Sequence, residues 1–359
     1  MPNWHVTRVT KRLGITYPII QGPFGGGASS PALAAAVSNA GGLGSYGLMP
    51  TAPAEIAGVV RSIRALTKKP FAMNLWVSGA DPDAAKFTRT LYDDALAGLR
   101  RYFDELGIEP PAFPPPPPVS FEDQARALLD ADPPVFSFVF GIPPAAILRE
   151  CHDRKIPTIG TVTTAAEARA MEEAGVDVIV ASGFEAGGHR GSFLASAEES
   201  LTGTFALVPQ VADAVRVPVI AAGGIADARG IAAARMLGAE GVQIGTAFLA
   251  CEESNASPLH RSLLFSDAAR LTALTRRFSG RLGRAIRNQF VDDSPALPYP
   301  LQGWLLRPVL QAAVAQGRTD LPMFWAGQGA HLVRHHHAAD LLAALVSETS
   351  LLLGTPRTK

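Results

Sequence analysis

The chain contains very few cysteines, no excess of either charge and no long hydrophobic run. Two cysteines in 359 residues, Cys151 and Cys251, cannot form a disulfide scaffold or a four-thiolate zinc site, and we expect both to be buried, unreactive thiols. Thirty-two basic residues balance 32 acidic ones with no long run of like charge, and no basic stripe that would suit a nucleic acid is visible in the sequence. No segment reaches the roughly 18 apolar residues that a membrane-spanning helix needs.

The first residues do not have the pattern of a secretory signal peptide. Met1–Leu13 includes Arg8, Lys11 and Arg12, which interrupt the apolar core that such a peptide requires. Hydrophobic residues make up 47% of the chain and charged residues 18%, a balance typical of a globular protein with a large core. The sequence therefore predicts a cytoplasmic globular protein that binds neither nucleic acid nor a membrane.

Short apolar runs alternate with amphipathic stretches along most of the chain. Eight runs rich in β-branched and aromatic residues predict buried strands: Ile19–Pro23, Gly42–Tyr46, Phe71–Trp76, Val135–Phe140, Thr158–Val162, Val176–Ala181, Val217–Ala222 and Gly241–Phe248. Helices are predicted between them at Ser30–Ala40, Pro53–Thr67, Ser120–Leu129, Pro143–Arg154, Thr164–Ala174, Thr204–Val215, Asp227–Leu237 and Pro258–Leu274. This order predicts an α/β fold, a (β/α)8 TIM barrel rather than a doubly wound sheet.

Residues typical of helix ends support these boundaries. Thr164 and Glu167 have the spacing of a capping box, and Asp227 is placed to cap the helix that follows it. Gly175 and Gly238 stand where a left-handed residue commonly ends a helix.

Two segments lie outside the repeating pattern. Residues 77–119 form an insertion that ends in five prolines, Pro114–Pro118, which we interpret as a stiff connector, with a ligand for a proline-binding domain as the alternative. Together with residues 275–337 it would form a smaller, mainly helical cap or substrate domain. Residues 1–76 and 120–274 would form the barrel, completed by a C-terminal helix over residues 338–353.

Two patterns are rejected as functional motifs. The run Gly42–Gly47 matches the glycine spacing of a dinucleotide-binding loop, but it follows a helix instead of opening one, so we interpret it as a helix end that leads into a strand. His335–His337 are adjacent, so they cannot share one metal on a helix face, and no metal site is predicted.

In (β/α)8 barrels the loops after the seventh and eighth strands commonly bind phosphate. Gly223 and Gly224 follow the seventh predicted strand, and the eighth contains Gln243, Ile244, Gly245 and Thr246. Glycine allows backbone N–H groups to approach an anion closely, and threonine adds a hydroxyl. A phosphate site is therefore predicted at this end of the barrel.

The loop after the sixth predicted strand carries the strongest signal for catalysis. Its sequence Glu185–Gly191 combines an acid, three glycines, a histidine and an arginine. His189 on such a loop can exchange protons near neutral pH, so it is the candidate catalytic residue. Arg190 is expected to orient Glu185, to attract an anion or to lie on the surface.

These motifs together resemble the nitronate monooxygenase family, formerly called 2-nitropropane dioxygenases. The resemblance covers nearly the whole chain, and its most specific part is the Glu-Ala-Gly-Gly-His sequence of Glu185–His189. The other matching segments are Gln21–Pro23, Met73–Leu75, Gly160–Thr164, Ala222–Ile225, Gln243–Thr246 and Trp325–Gly329.

The resemblance implies an FMN-binding barrel in which His189 is the catalytic base. Cofactor contacts are implied at Gly22, Pro23, Phe24, Asn74, Ser182, Gly187, Gly188, Gly223, Gly224, Gln243, Ile244, Gly245, Thr246, Trp325 and Gln328. Similar proteins commonly have Met at the position of Phe24 and Gln at that of Ser182. Tyr299 and Arg287 are candidates to line the substrate pocket.

The implied activity is the FMN-dependent oxidation of alkyl nitronates, or of nitroalkanes, by O₂ to carbonyl compounds and nitrite. His189 would act as the base or would hold the nitronate's charge. The alternative is an FMN-dependent NAD(P)H oxidoreductase, either an enoyl-acyl-carrier-protein reductase or a quinone reductase. A flavin-binding barrel without turnover and a phosphate-sugar barrel without flavin also stay open. The expected partners are small molecules, and the expected state is a monomer or a homodimer.

Overall fold

The computed structural model describes residues 3–292 and 296–354. Its strands are β1 (Ile19–Gln21), β2 (Gly44–Gly47), β3 (Phe71–Trp76), β4 (Val135–Val139), β5 (Thr158–Val162), β6 (Val178–Ser182), β7 (Gly188–His189), β8 (Val219–Ala222), β9 (Gly241–Ile244), β10 (Thr272–Thr275) and β11 (Gly283–Ile286). Its helices are α1 (Arg8–Leu13), α2 (Pro31–Asn39), α3 (Pro53–Leu66), α4 (Arg89–Leu106), α5 (Phe121–Asp130), α6 (Ala145–Asp153), α7 (Ala165–Glu173), α8 (Thr204–Ala214), α9 (Ala228–Met236), α10 (Thr246–Leu249), α11 (Pro258–Leu264), α12 (Leu301–Ala315) and α13 (Ala338–Leu352). Short 3₁₀ turns lie at Pro82–Lys86, Asp267–Arg270, Gln289–Asp292 and Ala330–Leu332.

Eight parallel strands form the barrel. Their order is β1-β9-β8-β6-β5-β4-β3-β2, and a parallel bridge between Ile20 and Leu43 joins β1 to the chain just before β2. The sheet therefore closes on itself, and the predicted (β/α)8 fold is confirmed.

Apolar side chains fill the barrel and surround it. The interior cluster takes residues from alternate positions of several strands, such as Val178 and Val180 of β6, as the two-residue period of a strand requires. Val9 and Leu13 of α1 belong to this cluster, so α1 closes the end of the barrel where the strands begin. A larger outer cluster joins the strands to the surrounding helices, including Leu341 and Leu342 of α13.

A second layer lies over the mouth of the barrel. It contains the long helices α4 and α12, and also an antiparallel sheet with the order β10-β11-β7. Its own buried cluster includes Phe103, Phe278, Phe290 and Leu305. The cap predicted as mainly helical thus has a small sheet in addition, while its treatment as a separate domain stays a prediction.

Helix α4 lies in the insertion of residues 77–119, before the proline run that is predicted to be a stiff connector. Thr88 caps its first turn, and Gly107 ends it in the left-handed conformation at φ 67°. Its buried residues Tyr92, Leu99, Phe103 and Leu106 have the three- and four-residue spacing of one helix face. The insertion is therefore an ordered part of the second layer.

Two predicted boundaries and one predicted cap need correction. The helix predicted over Pro258–Leu274 ends at Leu264, because Ser266 caps a 3₁₀ turn and Thr272–Thr275 pairs with β11. The strand predicted over Gly241–Phe248 ends at Ile244, where the chain turns at Gly245 into α10. The capping box at Thr164 is half formed, because Thr164 accepts a hydrogen bond from the Glu167 N–H but the Glu167 carboxylate bonds elsewhere.

Three other local predictions are confirmed. Asp227 accepts hydrogen bonds from the first turn of α9. Gly175 and Gly238 are left-handed, with φ of 85° and 100°. Both cysteines are buried, and burial raises the pKa of Cys151 to about 11 and that of Cys251 to about 12, so both thiols stay protonated.

Candidate active site

The residues expected to bind the cofactor collect at the carboxyl ends of the barrel strands. Gly22–Phe24 follow β1, Asn74 lies in the second half of β3 and Ser182 ends β6. Gly223 and Gly224 follow β8, and Gln243–Thr246 span the end of β9. In a parallel barrel these ends share one face, and this is the face on which barrel enzymes carry their active sites.

Close backbone contacts join these loops into one rim. A Cβ on Gly22 would lie 3.2 Å from the Cα of Gly245. A Cβ on Gly187 would lie only 2.5 Å from the backbone nitrogen of Gly327, so glycine is required there. The Thr246 hydroxyl accepts a hydrogen bond from the Gly327 N–H at 2.9 Å, and the Gln328 N–H donates to the Glu185 carbonyl at 2.9 Å.

Polar groups on this rim are left available for a ligand. Gly224 adopts a left-handed φ of 70°, and its N–H and that of Thr246 donate no hydrogen bond within the described residues. Asn74 is 3% exposed; its Nδ2 donates to Ser137 Oγ at 3.0 Å, whereas its Oδ1 has no donor in the described residues. Free backbone N–H groups suit a phosphate and a buried carboxamide suits a heterocyclic edge, so these residues fit a flavin mononucleotide.

His189 lies beside this rim on β7, the shortest strand, opposite Gly283 of β11. Its half-buried ring is enclosed by four aromatic rings, with centroid distances of 4.8 Å to Trp325, 5.0 Å to Trp76, 6.3 Å to Phe140 and 6.4 Å to Tyr299. Burial and then the positive charge of Arg281 lower the pKa of His189 to about 3. The imidazole is therefore neutral near pH 7 and able to accept a proton.

The two ring nitrogens of His189 differ in their surroundings. Nε2 lies 2.7 Å from the hydroxyl oxygen of Ser279, which fixes the orientation of the ring. Nδ1 makes no hydrogen bond to the part of the chain that the structure describes. One nitrogen is thus held by the protein, and the other is left for a substrate.

Arg281 is buried at the edge of the same aromatic group. Its Nε donates to Asp81 at 2.8 Å, and its two terminal nitrogens donate to the carbonyl and the hydroxyl of Ser78 at 3.0 and 2.9 Å. Its guanidinium carbon lies 4.2 Å from the ring centre of Phe140 and 4.3 Å from that of Tyr299. This side chain ties the residues that follow β3 to the segment just before β11.

The expectations for Arg190 and Glu185 need correction. Arg190 is 6% exposed and donates to the carbonyls of Thr163, Ser182 and Ser200, so a surface position is wrong. Glu185 accepts hydrogen bonds from the N–H and the hydroxyl of Thr204 at 2.9 Å, at the start of α8. Neither side chain is placed to act on a substrate; both hold the loop that carries His189.

The two further pocket candidates differ in position. Tyr299 is buried against His189 and Arg281, and burial raises its pKa to about 12, so the phenol stays neutral. The side chain of Arg287, by contrast, is exposed.

Sequence reasoning missed the remaining residues around His189. Trp76 ends β3 and Phe140 directly follows β4, so their place at strand ends was a usable signal. Ser279 and Arg281 reach His189 only through the pairing of β7 with β11, and no local pattern marks them. Phe140 has a left-handed φ of 64°, a conformation that costs a non-glycine residue about 1–2 kcal/mol.

Two further features bear on alternative functions. Within residues 3–292 and 296–354, no three His, Cys, Asp or Glu side chains are grouped as a metal site would require. In the same residues, no helix has the length and hydrophobicity needed to cross a membrane. The ring of His336 stacks on Phe265 with 4.1 Å between centroids.

Comparisons with known proteins agree with this geometry. A profile of the family described as Nitronate monooxygenase matches residues 6–348. A probable nitronate monooxygenase from Staphylococcus aureus (strain MSSA476) is 38% identical over 356 residues, which cover 98% of this chain and 99% of the relative. One from Staphylococcus haemolyticus (strain JCSC1435) is 37% identical over 361 residues, which cover 99% of this chain and 100% of the relative.

Solved structures give the same result. A nitroalkane oxidase from Streptomyces ansochromogenes matches with a TM-score of 0.88 and 34% identity, over 96% of this chain and 99% of that chain. FabK from Thermotoga maritima matches with a TM-score of 0.72 and 30% identity, over 97% of both chains.

Proposed function

The chain belongs to the nitronate monooxygenase family of flavin-dependent oxidoreductases, and we propose that it uses FMN and O₂ to oxidise alkyl nitronates to carbonyl compounds and nitrite. Two nitronates and one O₂ give two carbonyls and two nitrites, which balances atoms and charge. Neutral nitroalkanes would enter the same reaction after loss of the α-proton. The observation that carries the proposal is His189, a neutral imidazole with a free nitrogen beside a rim that fits a flavin.

The rim residues would hold FMN. The N–H groups of Gly224 and Thr246 would bind its phosphate, because free backbone donors on glycine-rich loops bind anions. Asn74 and Gln243 would meet the polar edge of the flavin ring. When bound, FMN supplies a one-electron route between a closed-shell nitronate and triplet O₂.

His189 would accept the α-proton of a neutral nitroalkane. The Ser279 hydroxyl orients the ring at Nε2, so we assign the proton-accepting role to Nδ1. The base role is favoured over a permanent positive charge, because burial and Arg281 both disfavour the imidazolium ion. The surrounding rings of Trp76, Trp325 and Tyr299 would exclude water and strengthen the attraction between the transient imidazolium and the new nitronate.

Oxygen consumption provides the direct test. Ethylnitronate is added to FMN-loaded protein without NAD(P)H, and O₂ uptake and nitrite are measured. We expect rapid uptake with nitrite release. Absence of uptake from protein that holds its flavin would contradict the proposal.

The reductase alternative, raised by the sequence, can be tested on the same protein. It predicts bleaching of the flavin by NADH or NADPH under anaerobic conditions, without any nitronate. Flavin that NAD(P)H leaves oxidised, in protein that oxidises ethylnitronate, would exclude it.

A cytoplasmic location and a monomeric or homodimeric state stay predictions of the sequence.

A further inference from the structure

Arg281 has an unusually constrained position for a residue that no sequence pattern singled out. Its side chain is 8% exposed, and each of its three nitrogens donates to Ser78 or Asp81. Asp81 also accepts a hydrogen bond from the Tyr299 N–H at 3.2 Å, and its own N–H donates to the Tyr299 carbonyl at 2.9 Å. The guanidinium is therefore fixed from two sides.

The same aromatic rings border both Arg281 and His189. The guanidinium carbon lies 4.2 Å from the ring centre of Phe140, 4.3 Å from that of Tyr299 and 6.0 Å from that of Trp76. The imidazole lies 6.3, 6.4 and 5.0 Å from the same three rings. Cation–π contacts therefore hold the guanidinium against the same group of rings that encloses the imidazole.

A backbone connection joins the two residues as well. The Arg281 N–H donates to Ser279 Oγ at 3.3 Å, and the Ser279 hydroxyl also lies 3.3 Å from the Arg281 carbonyl oxygen. The same hydroxyl contacts His189 Nε2. Any shift of Arg281 would therefore also move the group that orients the imidazole.

We propose that Arg281 is a positioning residue for the reaction: fixed by Asp81 and Ser78, it holds the Ser279 hydroxyl that orients His189, and its guanidinium keeps the imidazole uncharged until a substrate proton arrives. The catalytic meaning rests on the proposed function, whereas the electrostatic effect on His189 does not depend on it. Burial contributes to the same effect, and the low pKa of His189 has both causes.

Other charged and titratable groups lie near His189. Arg190, the next residue, is buried and donates to the carbonyls of Thr163, Ser182 and Ser200. Asp81 is paired with Arg281. Glu185, on the His189 loop, and Arg284, opposite Gly188 on β11, interact electrostatically with each other. Tyr299 stays neutral because burial raises its pKa to about 12. Arg281 is thus the charged group whose effect on His189 a single substitution can remove.

The test is the protonation of His189, followed by NMR of ¹⁵N-histidine-labelled full-length protein between pH 8 and 4.5. The His189 signals are assigned by their loss in His189→Asn. We expect a neutral ring throughout this range in the wild type and in Arg281→Lys, which keeps the charge. In Arg281→Met we expect the pKa of His189 to rise by at least one unit, so that about a quarter or more of the ring is protonated at pH 4.5.

Asp81→Asn distinguishes charge from loosened packing. It leaves the Arg281 charge unbalanced, so the charge effect predicts that His189 stays neutral down to pH 4.5. Entry of water into a loosened site would instead raise the His189 pKa in Asp81→Asn, Arg281→Lys and Arg281→Met alike. That result, or an unchanged titration in Arg281→Met, would overturn the proposal. Arg318→Met, which breaks an ion pair with Asp320 and Glu105 elsewhere in the cap, is the matched control and should leave His189 neutral.

A kinetic measurement connects this effect to catalysis. For Arg281→Met, protonation of His189 should lower kcat/KM on neutral nitroethane at low pH, and the wild type should not show this decrease. The kcat/KM on ethylnitronate, which needs no base, should not depend on protonation of His189. A wild-type protein inactive on both substrates would contradict the proposed function, and the NMR titration would still decide the electrostatic role of Arg281. Matching pH profiles for wild type and Arg281→Met on nitroethane would contradict its role in catalysis.

Discussion

Burial keeps two histidines of this chain uncharged, and their surroundings give them different roles. Burial lowers the pKa of His260 to about 4, and its Nε2 donates to the Trp325 carbonyl at 2.9 Å. This bond supports the residue whose ring packs on His189. His189 has a similar electrostatic state, but it lies beside the rim at the strand ends with one nitrogen free. Location at the barrel mouth, rather than a low pKa alone, marks the catalytic candidate.

Replacement of His189 tests the base role at the scale of one residue. His189→Asn removes the proton acceptor while keeping a polar group of similar reach. Because general-base catalysis contributes about 10²–10⁴-fold, we expect kcat/KM on neutral nitroethane to fall by at least about 100-fold. Ethylnitronate has already lost its proton, so its oxidation should fall much less. Equal losses on the two substrates would rule out the base role.

At the scale of elements, one buried carboxylate connects two parts of the barrel rim. Glu167 of α7 accepts hydrogen bonds from the N–H and hydroxyl of Thr163 at 2.6 and 2.7 Å. It also accepts from the N–H groups of Phe193 and Leu194 at 2.6 and 3.1 Å. The residue expected to complete a capping box instead fastens the loop after β7 to the end of β5. Four donors on a fully buried carboxylate make this a strong connection.

Substitution of Glu167 should therefore destabilise the fold. Glu167→Ala leaves buried N–H groups without acceptors, at a cost of about 3 kcal/mol, and Glu167→Gln should also destabilise because its amide nitrogen faces donors. Urea unfolding followed by circular dichroism measures this loss. Glu173→Ala, at an exposed position on the same helix, is the control and should stay within about 0.5 kcal/mol of the wild type. A Glu167→Ala midpoint equal to that of the control would contradict the assignment.

At the scale of the whole molecule, distant segments meet at one end of a closed barrel. The tail segment around Trp325–Gly329 contacts Gly187, Gly224 and Thr246, which lie on three different strand-end loops. Residues of α13 pack on the outside of the barrel. Cofactor binding should therefore stabilise the whole fold, because the rim draws on several parts of the chain.

FMN should raise the unfolding temperature of the flavin-free protein. Free FMN at 100 times its Kd adds about 2.7 kcal/mol, and riboflavin should add less because it lacks the phosphate. Gly224→Ala, which strains a φ of 70° and brings a Cβ within 3.3 Å of Glu185, should reduce the FMN-dependent shift. Gly175→Ala is the control: it strains a φ of 85° in open space, so it should lower the unfolding temperature and keep the FMN shift. Equal shifts with FMN and riboflavin would contradict the phosphate site.

The sequence by itself determined the barrel and most of the rim, because those features depend on local patterns. Buried strands such as Val178–Ser182 are continuous apolar runs, helix ends such as Gly175 require a left-handed residue, and the Glu185–His189 motif is contiguous. Only the tertiary structure decided which side chains surround His189. A pair of residues such as Gly188–His189 has no strand periodicity of its own, so its pairing with β11, and with it the approach of Ser279 and Arg281, depends on contacts about 90 residues apart in the chain. The hydrogen bonds of Glu167 were also decided by the tertiary structure. Its buried carboxylate accepts from donors such as the Phe193 N–H, which lies outside α7 and reaches Glu167 only in the folded chain.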